Sequence, residues 1–369
     1  MKYKTLGPTG LKVSVIGFGA IKLPEVPVEV ANKLLNRALD LGINFIDTAR
    51  NYGDSETKIG IALKNRRDEF YIATKTRERD YDGAYKDVLR SLKELQTDYI
   101  DIYQLHTVST KKDYNKVMAN NGALNALKRA RREGLIGHIG ITIHRDLDVM
   151  RMAIESGEFE TIMLAYNPLD PEGVGREGIL KLAKEHNMGV IIMKPLSGGQ
   201  LVTTETELGQ RLGNDPIVRA SLRYILSNQY VDTVIPGMRR IEELEENVLV
   251  ADMSPLSEEE KKELFRLIGK LRKSYRYGQV CLRCGYCMPC PKGILIPEVF
   301  RAYDIYVGYP EEVKDLGLRI YASLEVKPTE CIECRTCVSR CPVGIDIPAR
   351  LKEVAKVMEK ALAQSSSTL

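Results

Sequence analysis

The sequence predicts a parallel (β/α)8 barrel followed by a smaller cysteine-rich module, and three observations carry that prediction. Short β-branched runs alternate with helix-periodic segments between Val15 and Ile235. Strands separated by single helices imply parallel crossovers, and eight of them imply closure. All eight cysteines lie between Cys281 and Cys341, beyond that repeat. The 369 residues exceed the usual range of one core and suit a barrel of about 250 residues with a second unit.

Tyr3 to Leu6 and Leu11 to Ser14 flank Gly7-Pro8-Thr9-Gly10, a small hairpin able to close one barrel end. Strand one begins with Val15-Ile16-Gly17-Phe18-Gly19. Helix Val28 to Asp40 leads to a strand ending at Asp47, and helix Glu56 to Lys64 to strand Tyr71 to Lys75. Helix Tyr81 to Leu95 precedes strand Ile100 to His106, and helix Asn121 to Glu133 precedes strand His138 to Thr142. Helix Leu147 to Ser156, strand Thr161 to Ala165, helix Gly178 to His186 and strand Gly189 to Lys194 continue the pattern. Helix Pro216 to Ser227 and strand Thr233 to Ile235 complete it, and Ile241 to Val250 is the last barrel helix. A charged helix follows from Ser257 to Ser274, with Ser257 and Glu260 spaced as a capping box. The expected division is a barrel over 1–255, a linking helix over 256–274, a mainly helical two-cluster module over 275–363 and a Ser-rich disordered tail over 364–369.

The net charge of +4 is a small difference between 54 basic and 50 acidic residues, which argues against a polyanion binder. The densest basic run, Lys128-Arg129-Ala130-Arg131-Arg132, falls on a helical pattern and is a solvated face. No nucleic-acid partner is expected. Met1-Lys2-Tyr3-Lys4-Thr5-Leu6 lacks a signal peptide's apolar core, and no apolar run spans a bilayer, so the expectation is a cytoplasmic protein without a membrane partner. Tight C-x2-C steps in a reducing compartment point to metal ligation rather than disulfides.

Chemistry concentrates where strands end, because a barrel places reacting groups where strands meet βα loops. Asn44-Phe45-Ile46-Asp47-Thr48-Ala49-Arg50-Asn51-Tyr52-Gly53 stops an apolar run on a carboxylate and sets a tyrosine in the loop. Locally, Asp47 would equally serve as a helix cap and Tyr52 as packing. Lys75 and His106 end the next two strands, in register with Asp47. Together the four form a proton-delivery set for reducing a carbonyl. Lys75 would favour ionised Tyr52, Asp47 would hold Lys75, and His106 would donate a hydrogen bond to the substrate oxygen.

The cysteine runs are the most specific signal. Cys331-x2-Cys334-x2-Cys337-x3-Cys341-Pro342 is the bacterial ferredoxin run, and Cys281-x2-Cys284-x2-Cys287-x2-Cys290-Pro291 is one residue short of it. Each is followed by a similar phrase, Pro291-Lys292-Gly293-Ile294-Leu295-Ile296-Pro297 or Pro342-Val343-Gly344-Ile345-Asp346-Ile347-Pro348, which makes an internal repeat. In two-cluster ferredoxins the fourth cysteine ligates the other cluster. The expected ligands are therefore Cys281, Cys284, Cys287 and Cys341 for one [4Fe-4S] cluster, and Cys331, Cys334, Cys337 and Cys290 for the other. Zinc held by four cysteines is the alternative chemistry. The segment Ile294 to Lys327 reads as helical.

Two resemblances follow from these residues. Lys4-Thr5-Leu6-Gly7-Pro8-Thr9-Gly10-Leu11-Lys12-Val13-Ser14, Phe45-Ile46-Asp47-Thr48-Ala49 with Tyr52-Gly53, Lys75 and His106 resemble the aldo-keto reductases over roughly residues 1 to 255. The second module is similar to helical ferredoxins, and the whole chain to the aldo-keto reductase subgroup with a C-terminal ferredoxin domain. The resemblance implies a catalytic tetrad of Asp47, Tyr52, Lys75 and His106, with Tyr52 the proton donor and hydride from NADPH or NADH. It implies cofactor contacts at Gly19, Ala20, Thr142, Leu196, Gly237, Met238, Arg239, Glu246 and Asn247. Glu243 replaces a common arginine that clamps the 2′-phosphate, with Arg239 or Arg240 as alternative cations, so the choice of nucleotide stays open. Met163 and Met193 stand where the family often has glutamine and a stacking tyrosine, and they also fit as barrel lining. The expected function is reduction of a small aldehyde or ketone, with two [4Fe-4S] clusters serving structure or an external electron carrier. The rival is an electron-transfer or redox-sensing protein whose nicotinamide-binding barrel turns over little carbonyl substrate.

Overall fold

The computed structural model of the chain describes residues 1–144, 146–169, 178–199, 201, 211–212, 215–272, 281, 283–308, 314–342 and 344–366. Two units emerge: Met1–Asn167 with Pro171–Pro195 and Val218–Ser257, and Pro168–Asp170 with Leu196–Ile217 and Glu258–Leu369.

The first unit opens with the antiparallel hairpin β1 (Tyr3–Thr5) and β2 (Lys12–Ser14). Gly7 in its turn has φ +52°, and a Cβ there would lie 2.2 Å from the Gly189 nitrogen. Only glycine fits this left-handed close approach. The hairpin thus plugs the base of the barrel, with Leu6 fully buried.

Eight parallel strands follow: β3 (Phe18–Gly19), β4 (Phe45–Asp47), β5 (Tyr71–Thr76), β6 (Ile100–Leu105), β7 (Ile136–Ile143), β8 (Thr161–Ala165), β9 (Gly189–Met193) and β10 (Thr233–Val234). Each from β4 onward pairs with its predecessor in the chain. Bridges Ile16 to Val234 and Gly19 to Gly237 join the first strand to the last. At Gly19 a Cβ would meet the Ile235 and Pro236 carbonyl oxygens at 2.8 and 2.9 Å, so this closure needs glycine. Every residue of β6, β8 and β9 is buried, as expected for strands covered on both faces.

The helices are amphipathic shells. In α1 (Val28–Asp40), Ala31, Leu34, Leu35, Ala38 and Leu39 are buried at helical spacing. Each such leucine contributes about 2 kcal/mol by leaving water. α2 (Tyr81–Leu95) starts where the Asp80 side chain accepts from Gly83 N and stops at Gln96, with φ 54°.

The structure departs from the sequence expectation in three places. The polar loop after His106 contains a helix, Lys111–Met118, capped by Thr110, whose side chain accepts from Asp113 N. Strand one covers only Phe18–Gly19, although Ile16 bridges the last strand. The expected tail from 364 begins inside a helix, Ile347–Ser366. Residues 367–369, the end of the linking helix at 273–274 and positions 275–280 lie outside the described residues.

In the second unit, helix Glu258–Arg272 begins directly after Ser257, and Ile296–Gly308 and Lys314–Ala322 fill the expected helical segment. A separate core packs Ile294, Ile296, Val299, Phe300, Tyr303 and Tyr321 against Ile347, Leu351, Val354 and Met358. Tyr303 donates to Glu353 at 2.7 Å, so its hydroxyl is satisfied at the core edge.

Candidate functional site

At the barrel rim, β4, β5 and β6 deliver three polar side chains to one place, because in-register parallel strands end side by side. The Lys75 Nζ donates to Asp47 Oδ2 at 2.6 Å and to the Thr48 carbonyl at 2.5 Å. Both side chains are almost fully buried. Tyr52 reaches back from the loop, its ring centroid 5.0 Å from Lys75 Nζ. His106 meets that ring edge-on, with centroids 5.8 Å apart. The four residues singled out from the sequence are therefore one constellation.

Burial shapes its charges. It pushes the Asp47 carboxyl up from its ordinary range, while the Lys75 charge and hydrogen bonds from Lys75 and Gln104 pull it back. It pushes the Lys75 ammonium down, opposed by Asp47, with Lys194 adding to the downward push. His106 lies well below an ordinary histidine, through burial first and then the charges of Lys75, His144, Arg77 and Arg79. His106 is accordingly a neutral ring at pH 7, able to donate one hydrogen bond without bringing charge.

Sequence reasoning missed several neighbours. Gln104 donates to Asp47 Oδ1 at 3.2 Å. Its signal was period-two alternation, since Ile102, Gln104 and His106 share one face of β6. His144, 1% exposed, ends β7 as His106 ends β6. Arg79 donates to the carbonyls of His106 and Thr107, 2.9 Å each, and fixes the chain where Thr107 adopts φ 55°.

Behind the rim, Arg50 pairs with Glu56, with Glu94 at 2.8 Å and with Asp87 at 3.9 Å. Glu56 also accepts from Thr74 at 2.6 Å, and Arg50 N donates to the Lys75 carbonyl at 3.0 Å. The loop carrying Tyr52 and the helix after it are thus stitched to β5 at Thr74 and at Lys75 itself.

The residues assigned to a nucleotide are distributed differently. Gly19 and Gly237 face each other across the barrel closure. Ala20 is buried and its carbonyl accepts from Ser55. The Thr142 hydroxyl accepts from Thr107 N at 2.7 Å, which ties β7 to the loop after His106. Met238 and Asn247 are buried, and Glu246 lies 3.4 Å from Arg219. Leu196 is half-buried and its carbonyl accepts from Gly199 N. Glu243, in the first turn of helix Ile241–Leu249, accepts from Arg239 N at 2.8 Å and from the Arg240 guanidinium at 3.2 Å. Arg239 also pairs with Glu25 at 3.4 Å. Met163 and Met193 are both buried on barrel strands.

In the second unit the cysteines wall two cavities. One is lined by Cys281, Cys284, Cys287 and Cys341 with Ile296, Phe300, Ile345 and Ile347. The other is lined by Cys287, Cys290, Cys331, Cys334 and Cys337, with Lys292, Ile332 and Arg335 around it. The repeat is visible in the backbone. Arg283, Gly285 and Gly293 have positive φ after the first cysteine, as do Glu333, Arg335 and Gly344 after the second. These left-handed residues coil each run around its cavity. Among the described residues no three His, Cys, Asp or Glu side chains form a site for a single metal ion. Among the same residues no helix is long and apolar enough to cross a membrane.

Comparison with known proteins agrees with both halves. Residues 15–216 and 206–268 match the model of the aldo/keto reductase family, and 280–345 match a 4Fe-4S dicluster domain. The chain is 29% identical over 303 residues to the uncharacterized oxidoreductase YqkF of Bacillus subtilis, covering 72% of this chain and 95% of that one. It is 28% identical to the L-galactose dehydrogenase of Arabidopsis thaliana, over 67% of this chain and 87% of the other. Among solved structures, the holo form of the aldo-keto reductase AKR11C1 from Bacillus halodurans superposes with a TM-score of 0.63 at 28% identity, covering 72% of this chain and 96% of that one.

Proposed function

The chain belongs to the aldo/keto reductase family and carries a C-terminal 4Fe-4S domain, and from that premise we propose that it reduces an aldehyde or ketone with NADH. The carrying observation is the buried contact of Lys75 with Asp47 beside Tyr52 and His106. Bound nicotinamide supplies the hydride that reaches the carbonyl carbon. The Tyr52 hydroxyl delivers the proton to the carbonyl oxygen, and Lys75 stabilises the tyrosinate left behind. Asp47 and the Thr48 carbonyl hold Lys75 in place. Neutral His106 donates to the same oxygen and orients the substrate as charge develops there.

The nucleotide choice follows from Glu243. A carboxylate in the first helical turn suits a ribose hydroxyl and repels a 2′-phosphate. Arg239 and Arg240 are engaged with Glu25 and Glu243, which supports NADH over NADPH.

The two cavities walled by four cysteines support two [4Fe-4S] clusters, with the first three cysteines of each run and the fourth of the other as ligands. Clusters held by these cysteines would each pass one electron, and an external one-electron carrier is the partner that such a step size suits.

The test is anaerobic turnover of NADH with a panel of small carbonyl compounds, in the wild type and in Tyr52→Phe. Loss of about a hundredfold or more in kcat on Tyr52→Phe, with nucleotide binding retained, is the expected result. Nucleotide binding without turnover of any carbonyl by the wild type would overturn the reading.

A further inference from the structure

The two cysteine cavities are built from a repeat, yet their surroundings differ. In the first run, the described residues 281 and 283–287 include none that is exposed, and Cys287 is buried. The cavity there is walled by Ile296, Phe300, Ile345, Ile347 and Pro342. In the second run, Ile332 to Thr336 are exposed without interruption, with Cys334 among them and Ile332 at 59%. Lys292 and Arg335 line that cavity together with Ile296, Ile332, Pro348 and Leu351, so apolar lining is common to both sites and the exposed Cys334 and the two cations are what set the second apart.

Reduction adds one negative charge to a cluster. An apolar wall opposes that charge, because burial in a medium of low polarizability costs energy. Water and neighbouring cations favour it, and both raise a cluster's potential. Hydrogen bonds to sulfur act in the same direction and do not separate the sites. Cys281 and Cys341 each accept from a backbone N–H at 3.4 Å, and Cys334 accepts from Thr336. Near Cys281 the Asp304 carboxyl disfavours added negative charge, and the opposite charge of Arg283 acts on Asp304 itself. Arg335 is moderated by Asp346 at 3.2 Å, which leaves solvent exposure and Lys292 as the main difference.

We infer that the sites are inequivalent: the Cys290, Cys331, Cys334 and Cys337 site holds the more readily reduced, solvent-accessible cluster that exchanges electrons with an external one-electron carrier, and the Cys281, Cys284, Cys287 and Cys341 site holds a sheltered cluster of lower potential. This rests on the two-cluster reading above. The carrier gives or takes one electron at a time, and no bond is made or broken.

The experiment uses the full chain purified without oxygen. Iron and acid-labile sulfide are counted first; about eight of each per chain are expected, and about four would overturn the two-cluster reading itself. A dithionite titration followed by electron paramagnetic resonance should then show two separate one-electron waves. In Lys292→Glu the higher wave should move to lower potential while the lower one stays. A chelator added to the unmodified protein should remove about half of the iron in a fast phase, taking the higher wave with it. A single wave, a fast phase that removes the lower wave, or a Lys292→Glu shift of the lower wave would each overturn the inference.

Discussion

Replacing Lys75 by Met separates two roles that one ammonium fills. Lys75 is 1% exposed, and its Nζ lies 2.6 Å from Asp47. Without it Asp47 keeps the hydrogen bond from Gln104 but loses its charged partner. Removing one member of a buried pair typically costs about 3–5 kcal/mol, because the other charge stays buried and unpaired. The second role is the proposed one in proton transfer. Taking the 5.0 Å from Nζ to the Tyr52 ring as the working distance, and an effective dielectric of about 20, the ammonium stabilises a tyrosinate by about 3 kcal/mol. That is roughly a hundredfold in rate. The double variant Asp47→Asn with Lys75→Met distinguishes the roles, since it removes both charges at once. Urea unfolding and steady-state carbonyl reduction are measured on both proteins. The expected result is a single variant that is destabilised and slow, and a double variant that regains most of the stability and none of the rate. A Lys75→Met protein within tenfold of wild-type kcat would refute the assignment of Lys75 to proton transfer, and equal stabilities of the two variants would refute the unpaired-charge account.

Two further predictions concern Glu243 and His106. Glu243→Arg removes the carboxylate that binds Arg239 N and Arg240 and places a cation at the helix start. The ratio of kcat/KM for NADPH over NADH should rise about tenfold or more, and an unchanged ratio would place the 2′-phosphate elsewhere. Burial holds the folded pKa of His106 well below the ordinary 6.5. Between those two values the unfolded chain binds a proton that the folded chain does not, so stability should fall as pH drops below about 6.5, by up to about 1.4 kcal/mol per pH unit. Urea midpoints across that range should show the slope shrink in His106→Gln; the same slope in the variant would assign it to other groups.

Much of the site was legible because a barrel converts one-dimensional order into a ring. Asp47, Lys75 and His106 each end an apolar run, so their meeting followed from strand order alone. Tyr52 was legible from its loop position. Gln104 was not singled out, because a glutamine inside Ile100–Leu105 gives no sign of its partner until register sets it opposite Lys75. The Arg50 network joins residues as far apart as Glu94, a separation that local pattern does not encode. Helix Lys111–Met118 was hidden by its polarity: only Tyr114 and Val117 are buried, too few to mark a period. The last helix reaches Ser366 in spite of a Ser-rich end, where composition outweighed continuation from the preceding apolar face.

The crossed arrangement of the cysteine runs bears on how the protein is made. The cavity that holds Cys281, Cys284 and Cys287 lacks its fourth cysteine until Cys341 has been synthesised, and the other has only Cys287 and Cys290 until Cys331 emerges. A ribosome therefore releases the complete barrel sequence long before either cavity can close. The four sulfurs around the first cavity are complete only once Cys341 has been made, and a truncation anywhere before Cys341 leaves the Cys281 cavity without its full ring of sulfurs.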